Sequence, residues 1–210
     1  MNLVGMNKGG LEIGCATGQL SRWLSENGCE VIGIEINREM AEIAKKYCRD
    51  VLISDIEAIE DLPYLDFDFI LLLDVLEHLR NPFALLQKST TYLKKGGSIV
   101  ISLPNVANWM VRWNLSFGRF EYSERGILDG THLRFFNEKS AKRLLVDAGF
   151  EIVKYDIIPS LPLVKMRAKF MYIISKLRPN FFAVQFLLVG RIKSLSFDLH
   201  NRKMDVLDEA

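Results

Sequence analysis

The stretch Leu11-Glu12-Ile13-Gly14-Cys15-Ala16-Thr17-Gly18 constrains this chain most. A short apolar run carrying an acid is followed by small residues at Gly14, Ala16 and Gly18. A helical pattern comes next, in which Leu20, Trp23 and Leu24 share a side. A strand that turns sharply into a helix needs such residues, because glycine tolerates positive φ and lets a ligand approach the backbone. The free N–H groups at the helix start then point into the crevice beyond the strand. The plainer alternative is an ordinary glycine-containing turn.

The spacing separates two enzyme classes. The dinucleotide fingerprint is G-x-G-x-x-G. Here the pattern is G-x-A-x-G, with Glu12 two residues before the first glycine. A nicotinamide oxidoreductase needs the fingerprint and is disfavoured. The spacing instead resembles motif I of the class I S-adenosylmethionine-dependent methyltransferases, with Ala16 replacing the usual middle glycine.

With 210 residues the chain suffices for one α/β domain, taken as 1–195, followed by a polar tail at 196–210. A net charge of +1 gives no global pull toward nucleic acid. Cys15, Cys29 and Cys48 are odd in number and have no metal-type spacing, so a reduced cytoplasmic protein without a metal site is expected. No signal peptide or spanning segment is read. The residues before Leu11 are too few for a helix that would cover part of a cofactor. The expectation is a truncated start, or a crevice closed by a neighbouring chain such as the second copy of a homodimer.

Further along, Glu30 to Glu35 reads as a buried parallel strand ending in an acid placed to meet a ribose. The alternative for Glu35 is a surface acid near the next helix, for which Asn37 is the better cap. Residues 37–48 read as a helix with Met40, Ile43, Ala44 and Tyr47 inward. Asp50 to Ile53 is a third strand, followed by Asp55, which is either an adenine partner or a turn former. Phe67 to Leu73 is the most apolar run and the expected central strand. It ends in Asp74-Val75-Leu76-Glu77-His78-Leu79, a hexapeptide similar to motif IV of the subgroup that includes the ubiquinone-biosynthesis O-methyltransferases. Residues 93–97 read as a helix end with a glycine stop, and Ser98 to Leu103 as a fifth strand.

Residues 105–136 are long for a plain connection and are read as a substrate or lid segment. Trp109, Trp113 and Phe117 recur every four residues, which makes a helix with an aromatic face, for an acceptor or for packing on the sheet. Gly130-Thr131-His132-Leu133-Arg134-Phe135-Phe136 is similar to a signature in methyltransferases associated with polysaccharide and cell-envelope synthesis. Asn137 caps a helix over 138–148, and Phe150 to Ile158 is a strand. Residues 163–178 form an amphipathic basic helix within 161–180, with Met166, Phe170, Ile173 and Leu177 on one face. The basic stretch 163–193 suits a peripheral membrane surface or an anionic ligand, or is simply a solvated face. Phe182 to Ile192 is the last strand.

The resemblance implies a seven-stranded α/β Rossmann-like sheet in the order 3-2-1-4-5-7-6, strand seven antiparallel, with helices on both faces. It implies S-adenosylmethionine as cofactor, held by Glu12, Gly14, Cys15, Ala16, Gly18, Glu35, Ile36, Asp55, Ile56, Asp74 and Val75. The expected reaction moves a methyl group to a small-molecule acceptor, an oxygen of a sugar, a lipid-linked intermediate or a quinone-type metabolite, and leaves S-adenosylhomocysteine. His132, and after it His78, is the candidate catalytic residue, unless positioning alone suffices. Trp109, Trp113 and Arg134 are the candidate acceptor contacts. The alternative is a non-catalytic cofactor-binding or regulatory partner with the same fold.

Overall fold

The computed structural model describes residues 4–160 and 168–193. In chain order its elements are β1 (Gly9–Ile13), α1 (Gln19–Glu26), β2 (Glu30–Glu35), α2 (Arg38–Ala44), β3 (Asp50–Ile53) and β4 (Phe67–Leu73). They continue with α3 (Pro82–Tyr92), β5 (Leu93–Pro104), α4 (Trp109–Ser116), α5 (Glu138–Asp147), β6 (Phe150–Pro159), α6 (Ala168–Leu177), α7 (Pro179–Phe182) and β7 (Ala183–Ile192). Single 3₁₀ turns follow β3, at Ile56–Ala58, and β4, at Leu76–His78.

The strands form one seven-stranded sheet in the order β3-β2-β1-β4-β5-β7-β6. β1 to β5 pair in parallel, while β7 runs antiparallel between β5 and β6. This is the expected order. The order is the one the family resemblance implies, while the apolar runs mark the strands themselves, because strands covered on both faces need no polar alternation. Along β4, Ile70 and Leu72 join the larger core with Leu11, Ile34 and Ile99. Phe69 and Leu71 point the other way, onto Leu24, Val31 and Val100. Each such side chain contributes ~1.5–3 kcal/mol of burial, and truncating Leu72 to alanine would cost ~2–5 kcal/mol.

Among the described residues, four asparagine caps fix where helices begin, Asn81 among them, which accepts from the N–H of Ala84 at the start of α3. The side chains of Asn37, Asn108 and Asn137 accept hydrogen bonds from the backbone N–H of Met40, Met110 and Ser140. Ser140 returns a bond to the backbone N–H of Asn137, which completes a capping box.

The structure corrects several faces read from the sequence. On α1, Ser21 and Leu24 are buried while Trp23 is exposed, because Ser21 Oγ donates to Glu12 Oε2 in the interior and sets the helix rotation. On α2, Ala41 and Ala44 face inward, and Met40 and Ile43 are exposed. The glycine loop leaves no room for more: a Cβ on Gly18 would lie 2.9 Å from Ala44 Cα. Residues 93–97 are the start of β5 rather than a helix end. Leu93 pairs with Phe67, and the register shifts before Ser98 meets Phe69.

The basic helix is corrected as well. Ile173 and Leu177 are exposed, Leu177 at 76%, while Ser175 is buried and Tyr172 packs against the core. Tyr172 Oη donates to Asp156 Oδ1, and Lys176 Nζ lies 3.3 Å from the same oxygen. Both anchors draw the polar side of α6 onto β6. Lys165 and Met166 lie outside the described residues, as do the side chains of Lys169 and Phe170 and the tail 196–210. No helix among the described residues is long and apolar enough to cross a membrane.

Candidate active site

In an open α/β sheet, ligands bind beyond the carboxyl ends of the strands where the order reverses. A cavity of about 380 Å³ lies there, lined by Gly14 after β1, Glu35 and Ile36 after β2, Asp55 and Ile56 after β3, and Asp74 and Val75 after β4. Gly14 has φ 73°, and a Cβ there would come within 2.7 Å of Val75 Cγ2, so only glycine fits.

Glu35 is buried and ties this cavity together. Its Oε2 accepts a 2.9 Å bond from the N–H of Ala16, and its Oε1 a 2.8 Å bond from the N–H of Asn37. Each carboxylate oxygen retains a further lone pair for a ligand. Asp55 Oδ1 accepts from Glu57 N–H at 2.9 Å and starts the Ile56–Ala58 turn.

Four sequence-predicted residues lie outside the cavity wall. Glu12 is buried against Ser21, and its burial pushes the carboxyl up to about 7. Cys15 packs with Ala41 and Ala44. Ala16 sits at φ 47° on the Glu35 carboxylate, and Gly18 begins α1 at φ 76°.

A second cavity, about 270 Å³, adjoins the first and shares Asp74 and His78 with it. Its remaining wall includes Glu77, Arg125, Asp129, His132 and Gln185. Asp74 has φ 55°, and its Oδ1 accepts from Ser102 Oγ at 3.1 Å and from Gln185 Nε2. The rings of His78 and His132 meet edge to face with centroids 4.8 Å apart. Burial lowers the pKa of His132, and its side chain is 6% exposed. Burial pushes Glu77 up to about 8, with the charges of Asp74 and Asp129 adding to the effect.

The predicted acceptor contacts are not gathered here. Arg134 Nη2 donates to the Arg80 carbonyl at 2.6 Å. Trp113 is 63% exposed on α4 and stacks edge to face on Phe117. Trp109 is half-buried with its Nε1 unpartnered among the described residues. Sequence reasoning gave no role to Glu77, Ser102, Asp129 or Gln185. Only Glu77 carried a local signal, an acid inside an otherwise apolar hexapeptide.

A still larger cavity, about 620 Å³, lies at the amino ends of β1, β2 and β4. Four of its charges pair with one another, Arg49 with Glu30 at 3.0 Å and Lys94 with Asp68 at 3.1 Å. The fold does not place ligands at that edge.

Residues 6–155 match the family described as methyltransferase domain. The chain belongs to this family, the class I S-adenosylmethionine-dependent methyltransferases, and S-adenosylmethionine is the family's cofactor. It is 31% identical over 147 residues to an uncharacterized protein of Methanocaldococcus jannaschii, across 69% of this chain and 65% of that one. It is 25% identical over 150 residues to the ubiquinone biosynthesis O-methyltransferase of Methylococcus capsulatus, across 68% of this chain and 62% of that one. Both alignments span less than two thirds of the relative's own length. Among solved structures, a SAM-dependent methyltransferase from Archaeoglobus fulgidus superposes with a TM-score of 0.63 at 24% identity, covering 90% of this chain and 87% of that one, which shows the shared fold.

Proposed function

We propose that this protein transfers the methyl group of S-adenosylmethionine to an oxygen of a small hydroxylated acceptor. The observation that carries the reading is the pair of adjoining cavities joined at Asp74 and His78. The first presents the glycine loop, the Glu35 carboxylate and Asp55, which suit the amino-acid end, the ribose and the adenine of the cofactor. The second is polar and charged and is open to an acceptor beside the point where the reactive methyl would emerge.

The sulfonium methyl is already activated, so the protein has to align the acceptor oxygen behind it and dispose of one proton. The wall of Glu77, His78 and His132 is where that proton is handled, and Arg125 offers a charge to an anionic group on the acceptor. Oxygen is favoured over nitrogen or carbon by the similarity to the Methylococcus O-methyltransferase. Sugars, lipid-linked intermediates and quinone-type metabolites all meet this description.

The described cysteines are free thiols, which suits a reducing compartment such as the cytoplasm. Contact with an anionic surface through 163–193 belongs to the same proposal. The exposed Leu177 beside the basic residues supports it, whereas Lys176 is already paired with Asp156.

The test is release of S-adenosylhomocysteine in the presence of an acceptor panel containing catechols, sugars and lipid-linked sugars. Turnover dependent on a hydroxylated acceptor supports the proposal. Cofactor binding without turnover on any of them favours the regulatory-partner reading.

A further inference from the structure

The acceptor-side wall contains a group that positioning does not explain. Glu77 is 1% exposed, and its Oε2 has no hydrogen-bond partner among the described residues, while Oε1 lies 4.0 Å from Nε2 of His132. Leaving a buried acceptor unpaired costs ~1–3 kcal/mol, and more when it is charged.

The two histidines beside it are held in the same way. Nδ1 of His132 lies 3.2 Å from the Ile127 carbonyl oxygen; Nδ1 of His78 lies 3.3 Å from the Thr131 carbonyl oxygen and 3.1 Å from Thr131 Oγ1, whose own proton is donated to Asp129 Oδ1. A carbonyl oxygen only accepts, so Nδ1 of each ring is the donor and Nε2 keeps its lone pair. Backbone carbonyls that fix the tautomer in this manner are a recurring support for histidines that bind metal. Glu77, His78 and His132 each bring a potential ligand atom within 4.8 Å of the other two.

We propose that Glu77, His78 and His132 bind a divalent transition-metal ion, which in turn holds the acceptor oxygen that receives the methyl group. This rests on the function proposed above and names what stands on its acceptor side. Two imidazoles and one carboxylate suit manganese, iron, cobalt or zinc, whereas magnesium and calcium prefer oxygen alone. The ion satisfies the orphaned Glu77 oxygen, and three protein ligands leave positions open for the acceptor.

A hydroxyl bound to such an ion gives up its proton more readily, as metal-bound water does. The acceptor O–H bond breaks and the proton leaves to water. The oxygen's electron pair then forms the new bond to the methyl carbon. The carbon–sulfur bond breaks with its electrons passing to sulfur, which yields neutral S-adenosylhomocysteine. In this arrangement the histidine lone pairs are committed to the ion, and neither ring acts as the base. An acceptor with two adjacent oxygens, such as a catechol or a vicinal diol, would chelate the ion.

The test needs no acceptor. Chelator-stripped protein is titrated with Co²⁺, followed by visible absorption and by calorimetry. One ion per chain is expected, with affinity falling more than the about 10–100-fold typical of losing an outer-shell partner in His78→Ala and in His132→Ala. Glu77→Gln keeps the shape of the buried acid and should weaken Co²⁺ binding while circular dichroism stays unchanged. Absence of binding to the parent at millimolar Co²⁺, or equal affinity in all three variants, overturns the inference. S-adenosylhomocysteine binding to the stripped parent is measured alongside. Its retention while Co²⁺ fails to bind overturns the metal site and leaves the proposed function standing, and its loss counts against the proposed function instead.

Discussion

Glu35 Oε2 accepts a 2.9 Å hydrogen bond from the backbone N–H of Ala16, nineteen residues earlier, and so clamps the glycine loop to the end of β2. One carboxylate therefore shapes the loop and faces the cavity. Glu35→Ala should weaken cofactor binding by about 1.5–3 kcal/mol, as expected for hydrogen bonds to a charged group. It should also lower stability by ~1–3 kcal/mol, because two partly buried N–H groups lose their acceptor. Calorimetry and chemical denaturation of the same variant separate the two effects. An unchanged affinity would remove Glu35 from the cofactor site.

Ala16 is held at φ 47°, a left-handed angle that costs an L-residue ~1–2 kcal/mol. Glycine escapes that cost but loses ~0.5–1 kcal/mol more chain entropy on folding. Ala16→Gly should therefore stabilise the protein by ~0.5–1 kcal/mol. Urea denaturation gives the answer, and a destabilised variant would mean that the alanine methyl makes a contact the loop depends on.

The buried Glu12 links stability to pH. Desolvation raises its pKa from 4.5 to about 7, so between those values the native state holds a proton that the unfolded chain has released. Stability declines as pH rises through that window and levels off above it, by about 3 kcal/mol at most. Glu12→Gln keeps an acceptor for Ser21 Oγ and should remove this slope. The parent-minus-variant difference in unfolding free energy at pH 5, 6, 7 and 8 checks it. A constant difference would show that Glu12 stays ionised, and thus that its environment is less dry than its 7% exposure implies.

Asp156 anchors α6 through Tyr172 and Lys176, and its carboxylate is held in place by the N–H of Ile157 on β6, which donates to it at 2.9 Å. Asp156→Ala removes the shared acceptor, so α6 should come away from β6 first. Hydrogen exchange should quicken across 168–177 while β4 and β5 keep their protection. Uniform loss of protection across the sheet would show that α6 does not open as a separate unit.

The strands were legible because their message is local. Runs such as Phe67 to Leu73 are apolar on both faces, and the order of the sheet came with the family resemblance carried by residues 11–18 and 74–79. Helix rotation was less legible. Trp23, Met40 and Ile43 fit an apolar stripe, yet a buried Ser21–Glu12 bond and the small residues facing the glycine loop turn them outward. The acceptor wall was least legible. Gln185 reaches Asp74 across 111 residues, and nothing near either residue marks the pairing. His132 was picked out by its local signature, but its proximity to Glu77 exists only once β4 and the 105–136 segment are folded together.

The cavity above β1 suits an adenosyl sulfonium cofactor and not a dinucleotide. Calorimetric titration of the protein with S-adenosylmethionine, S-adenosylhomocysteine and NAD tests it most directly. Saturable one-to-one binding of the first two, weakened in Glu35→Ala, and no measurable binding of NAD are expected. Tight binding of NAD with none of S-adenosylmethionine or S-adenosylhomocysteine would contradict it.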